Sequence, residues 1–102
     1  MQLPDDPLLR ELLPEFVGTW QHEAPLILEA AHKQNDAELY RLGHTLKGSC
    51  LQFGLTELAE LGIQVMECAR SRSWNAVPAL YEQIVLHLQR LQRLVGHSRE
   101  EQ

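Results

Sequence analysis

Asn35-Asp36-Ala37-Glu38-Leu39-Tyr40-Arg41-Leu42-Gly43-His44-Thr45-Leu46-Lys47-Gly48-Ser49-Cys50-Leu51-Gln52-Phe53-Gly54 is the stretch from which the fold can be read. Leu39, Leu42, Leu46, Cys50 and Phe53 recur at intervals of three or four, the spacing of one buried helical face. Asn35 and Glu38 have the spacing of a capping box, with Asn in place of Ser or Thr, and start the helix at about Asp36. Gly54 is placed to end it. At about 100° per residue, His44 falls roughly 160° from the centre of the apolar stripe and points away from the core. Lys47 and Gly48 lie at i+3 and i+4, so one adds positive charge beside the imidazole and the other leaves its neighbourhood open. A glycine inside a helix costs about 1 kcal/mol relative to alanine, which calls for a reason such as close approach by another molecule.

The segments on either side read as helices too. Leu8, Leu9, Leu12, Leu13, Phe16, Val17 and Trp20 form an apolar stripe from about Pro7, a residue suited to a first turn. Pro14 and Pro25 interrupt the pattern, which predicts either a kink or a short first helix followed by a second ending near Lys33. After Gly54, Thr56 is placed to cap a helix carrying Leu58, Leu61, Val65, Cys68 and Ala69 up to about Arg72. A last helix is expected from Ala76 to about Val95, with Leu80, Ile84, Leu88, Leu91 and Val95 as its seam, Pro78 in its first turn and Gly96 closing it. Very short turns make consecutive helices antiparallel neighbours. The fold expected is all-α: an antiparallel up-and-down four-helix bundle with a short or kinked additional helix at the N-terminus. It is expected as a single stand-alone domain over residues 1–102, with an ordered core of about 7–96.

Composition narrows the function. Of 102 residues, 44% are hydrophobic and 23% charged, a globular balance; the formal charge of -5 and only 9 Lys+Arg argue against nucleic acid. No run approaches the roughly 20 apolar residues that cross a bilayer, and no secretion signal opens the chain, so a cytoplasmic location without membrane association is expected. Cys50 and Cys68 read as reduced, buried thiols.

Around His44 lie Lys47 on one side, Arg41 on the other, and Leu51 on the same outward face. Leu55 is expected to extend that exposed apolar patch, and on the next helix Ile63 and Met66 fall off the main stripe, on the side that holds Arg70. Partly apolar surface around a polar centre suits a protein docking site; for Ile63 and Met66, packing under the N-terminal segment is the alternative. Imidazole is nucleophilic in its neutral form at neutral pH, and a nearby ammonium attracts an anion, so the arrangement suits capture of a phosphoryl group. No carboxylate stands at i±3 or i±4 of His44, which weakens a general-base role. His22, His32, His87 and His97 lack the spacing of a metal site and read as surface residues; no metal or cofactor is expected on this chain.

The run His44-Thr45-Leu46-Lys47-Gly48-Ser49, followed by Gly54, resembles the histidine-containing phosphotransfer (HPt) family, whose characteristic helix reads approximately His-x-Leu-Lys-Gly-Ser/Ala with a later Gly. The likeness extends to Glu23-Ala24-Pro25-Leu26, to Asp36 and to Glu67 with Ala69-Arg70, and so covers nearly the whole chain. Cys50, Leu51 and Leu55 stand where smaller residues are commoner in the family. The resemblance implies a phosphocarrier without kinase activity. His44 would receive a phosphoryl group from the receiver domain of a hybrid sensor kinase and pass it to a response regulator. Lys47 would offset charge on the phosphoryl oxygens and Gly48 would leave room for the receiver's loops. It also implies that Mg²⁺ is held by the receiver partner. No Gly-x-x-x-x-Gly-Lys run suggests an ATP site, and the carrier is expected to act as a monomer. Two other readings compete: a bundle that regulates a partner by docking without being phosphorylated, and a metal or cofactor bundle, which the aliphatic stripes disfavour.

Overall fold

A computed structural model of the chain describes residues 3–100, with side chains described as far as Val95. Four helices follow in order: α1 (Pro7–His32), α2 (Asp36–Gln52), α3 (Thr56–Ser71) and α4 (Val77–Glu100), with a 3-10 turn, Trp74–Ala76, before the last. The connections are residues 33–35, 53–55 and 72–76, too short for anything but antiparallel neighbours. α2 and α3 pack most closely, α1 lies along α4, and the two pairs close into a bundle 45 × 19 × 18 Å.

α1 starts where Asp6 accepts a hydrogen bond from the Leu8 amide at 2.9 Å, with Pro7 in the first turn. It then runs unbroken through Pro14 and Pro25, so the additional N-terminal helix expected from these prolines is the first half of α1. Each proline deprives one carbonyl of its helical partner, that of Arg10 or Gln21, and both residues are exposed, where water can take over. The buried series Leu13, Phe16, Val17, Trp20, Ala24, Ile27, Ala30 and Ala31 continues across Pro25 and holds the helix together. Leu8 and Leu12 are not part of it: they stand 69% and 50% exposed.

The start and end of α2 show how local chemistry sets its phase. Asn35 Oδ1 accepts from the Glu38 amide at 3.1 Å, but the Glu38 carboxylate turns to Arg41 instead of back to Asn35, so only half of the capping box forms. At the other end Gly54 takes φ +71°, the Gly54 amide donates to the Leu51 carbonyl at 3.1 Å and the Leu55 amide to the Cys50 carbonyl at 2.9 Å. These are the two bonds of a Schellman motif, which commonly turns an apolar side chain back onto the helix it ends. Leu55 is that side chain. It is 2% exposed, joins the core and serves as N-cap residue of α3, the place expected for Thr56, which is instead the first helical residue.

The expected seams of α2, α3 and α4 are all buried, including Leu39, Leu46, Cys50, Leu58, Val65, Ile84, Leu88 and Leu91. Phe16 and Phe53 meet with ring centroids 5.0 Å apart, tying α1 to the end of α2. α4 does not stop at Gly96 but continues to Glu100. No described helix is long and apolar enough to cross a membrane.

Candidate functional site

His44 occupies the middle of α2 with its side chain exposed. What lies behind it is backbone. A Cβ added at Gly43 would stand 2.8 Å from the Gly62 carbonyl oxygen and 2.9 Å from the Met66 amide nitrogen. One added at Gly62 would stand 2.8 Å from the Lys47 amide nitrogen and 3.2 Å from its Cα. α2 and α3 therefore touch main chain to main chain beneath His44 and Lys47, and neither glycine can gain a side chain without moving a helix. Gly48 is different: a Cβ there would meet nothing within 4 Å. The fold does not require this glycine, and its effect is to leave the surface one turn from His44 bare.

The charged groups around the imidazole divide into paired and free. Arg41 donates from Nε to Glu38 at 3.0 Å, with a second contact from Nη2 to the same carboxylate. The hydrogen bonding holds the Arg41 guanidinium above its ordinary range and Glu38 below its own. Arg70 on α3 donates to Glu67 at 2.7 Å and to the Tyr40 hydroxyl at 3.1 Å. Lys47, half-buried, has no carboxylate partner among the described residues. Of the cations around His44 it is the one that no carboxylate neutralises among the described residues.

Tyr40, one turn before His44, completes the surroundings. Its ring lies nearly parallel to the imidazole, 16° apart in plane with centroids 6.3 Å apart, and the Arg70 guanidinium sits 5.3 Å from the Tyr40 ring centroid. Among the described residues neither ring nitrogen of His44 is hydrogen-bonded to protein, and no carboxylate orients it as in a general base. Near the end of α2, burial pushes the Cys50 thiol up to about 12, so it is an inert core side chain.

Of the expected docking residues, Arg41, Leu51 and Arg70 are exposed, Leu51 at 52%. Leu55 is corrected to the core by the turn described above. Met66 is corrected as well: it is 6% exposed, and its Cγ lies 3.0 Å from where a Gly43 Cβ would be. The close approach of α2 and α3 at their glycines turns that flank of α3 inward, and Ile63 beside it is half-buried. Leu51 shares a shallow groove with Leu3, Pro4 and Leu9 of the N-terminal segment. His22 and His32 are exposed, but His87 is mostly covered, its Nδ1 2.8 Å from the Gln83 carbonyl and its Nε2 3.4 Å from Glu57; His97 lies outside the described side chains. Among the described residues no three metal-binding side chains cluster.

Three residues that shape the site are not marked by the apolar stripes or the His44 run. Tyr40 stands at the i−4 position of His44, a relation the helical spacing already contains. Gly43 and Gly62 are helix-interior glycines on neighbouring helices, a signal of close backbone approach.

Fold and site together define a helical bundle that displays an exposed, unpaired histidine in the middle of α2, with an unpaired lysine and a bare glycine beside it. The family model described as Hpt domain matches residues 11–94, and the chain belongs to the Hpt domain family. Comparison with curated proteins and with solved structures returns no match. Hpt domains are phosphocarrier modules of two-component signalling, not kinases, and they interact with receiver domains.

Proposed function

We propose that this chain is the intermediate of a cytoplasmic phosphorelay. His44 takes a phosphoryl group from the aspartyl phosphate of a receiver domain on a hybrid sensor kinase and delivers it to the aspartate of a response regulator. In the first step a neutral ring nitrogen of His44 attacks phosphorus, an N–P bond forms, the acyl P–O bond breaks and the receiver's carboxylate leaves; the second step reverses this on a different aspartate. The observation that carries the reading is the exposed, unbonded imidazole of His44 between free Lys47 and open Gly48.

Each neighbour has a part in it. Lys47 offsets the charge of the phosphoryl oxygens, and Gly48 admits the receiver's loops. The Mg²⁺ such transfer needs is held by the receiver. Docking falls to the exposed face around His44, with Leu51 as its apolar element and Arg41 at its edge. α1 adds to it: Leu12 lies about 20° from Glu23 on the helical wheel, and Glu23 is close enough to Arg41 to raise its pKa. Exposed Leu12 thus lies on the flank of α1 that faces α2.

The test is a relay in two receivers. Radiolabel on the first receiver's aspartate is expected to reach the second only when this chain and Mg²⁺ are present, and not with His44→Gln. Label that reaches the second receiver equally with His44→Gln contradicts the proposal and leaves docking without phosphorylation as the better reading.

A further inference from the structure

Tyr40 and Arg70 come from different helices and meet beside His44; Tyr40 packs against the edge of the core, and Arg70 lies outside it. Both are at the surface: Tyr40 is half-buried and Arg70 exposed. The phenol ring is held from above by the Arg70 guanidinium, 5.3 Å from its centroid, and at its tip by the Arg70 Nη2 hydrogen bond of 3.1 Å to the hydroxyl. Arg70 is itself fixed by Glu67 at 2.7 Å. A guanidinium engaged on two sides and lying over a ring restrains that ring more than solvent or an aliphatic neighbour would. The restrained ring is the one parallel to the imidazole at 6.3 Å, within the range of offset stacking.

We propose that Tyr40, clamped against α3 by Arg70, is a positioning residue for His44, setting the plane in which the imidazole is offered to a phosphoryl donor. The inference rests on His44 being the acceptor. Its size follows from rotamers. A histidine in mid-helix has two accessible χ1 wells, and its χ2 is broad and roughly two-fold, giving about four orientations when nothing restrains it. A stacked neighbour keeps one χ1 well and narrows χ2, while a half-turn of the ring within the plane remains open. Loss of the stack therefore reduces the productive fraction, and with it the transfer rate, by about two- to fourfold.

The test compares the wild type with Tyr40→Phe, Tyr40→Leu and Arg70→Ala, using the His44 ring-proton resonances and the rate of transfer from a phosphorylated receiver at saturating receiver. Tyr40→Leu is expected to move the His44 ring resonances away from their ring-current-shifted positions and slow transfer about two- to fourfold, with receiver affinity unchanged. Tyr40→Phe keeps the ring and its contact with the guanidinium but loses the hydroxyl hydrogen bond, and is expected nearest the wild type in both readouts; Arg70→Ala loses both contacts and falls between Tyr40→Phe and Tyr40→Leu. Thermal unfolding of each variant separates these effects from loss of fold. Unmoved His44 resonances in Tyr40→Leu overturn the inference, as does a Tyr40→Phe variant as slow as Tyr40→Leu, which would assign the effect to the hydroxyl. Failure of the wild type to accept any phosphoryl group defeats the proposed function instead, and the resonances still decide whether Tyr40 sets the ring.

Discussion

Replacing Gly48 with glutamine should make the protein more stable and less able to transfer phosphate. The first half follows from the space at this position, where an added Cβ meets nothing within 4 Å. In an exposed helix interior, glycine costs about 1 kcal/mol relative to alanine and glutamine well under half of that, so Gly48→Gln gains about 0.5 kcal/mol. For a domain of about 100 residues this raises Tm by about 2–4 °C. The second half follows from position. Gly48 lies one turn from His44 and about 40° round the helix, so in the proposed relay the new side chain would crowd the approach of the receiver's aspartate. A displacement of the reacting groups by about 1 Å can cost on the order of a hundredfold in rate, and a loss of about ten- to a hundredfold is expected. Gly18 supplies the control: a Cβ there also meets nothing within 4 Å, but it lies on the outer face of α1, away from α2. Gly18→Gln should show the same gain in Tm with unchanged transfer. Thermal unfolding followed by circular dichroism gives the stabilities, and quenched-flow transfer from a phosphorylated receiver gives the rates. Wild-type transfer by Gly48→Gln refutes the argument from access; a lowered Tm refutes the claim that the fold leaves this glycine free.

The other glycines of the site are expected to behave oppositely. Gly43→Ala places a Cβ 2.8 Å from a backbone oxygen that cannot rotate away; overpacking of this kind costs about 1–3 kcal/mol against a propensity gain of about 1, so a net loss of stability of up to about 2 kcal/mol is expected in urea denaturation. Leu51 and Leu55, four residues apart, should separate docking from folding. Leu51→Asp alters a side chain 52% exposed and is expected to change stability by less than about 0.5 kcal/mol while weakening receiver binding in calorimetry. Leu55→Asp puts a carboxylate where 2% of the side chain is exposed, with no basic partner, and is expected to abolish the cooperative unfolding transition.

Local chemistry was legible in the chain and tertiary register was not. The α2 stripe, the Asn35 cap, the Gly54 stop and the outward phase of His44 each depend on residues within a few positions of one another, and each stands in the structure. Leu55 lies in the core and not on the surface: spacing alone shows an apolar residue beyond a helix end, whereas the hydrogen bonding of the turn folds it back. Met66 is buried and not exposed because its surroundings depend on how closely α3 approaches α2, which the two glycines decide. Pro14 and Pro25 suggested a break because their cost is local and the burial that outweighs it is spread along α1. The Tyr40–Arg70 contact joins residues 30 positions apart and needs the register of two helices before it can be seen.

Whether His44 carries the phosphoryl group is decided most directly by the intact mass of this chain after incubation with a phosphorylated receiver and Mg²⁺. A gain of one phosphoryl group is expected, lost on acid treatment and absent in His44→Gln. No gain with any cognate receiver, or an equal gain in His44→Gln, would contradict it.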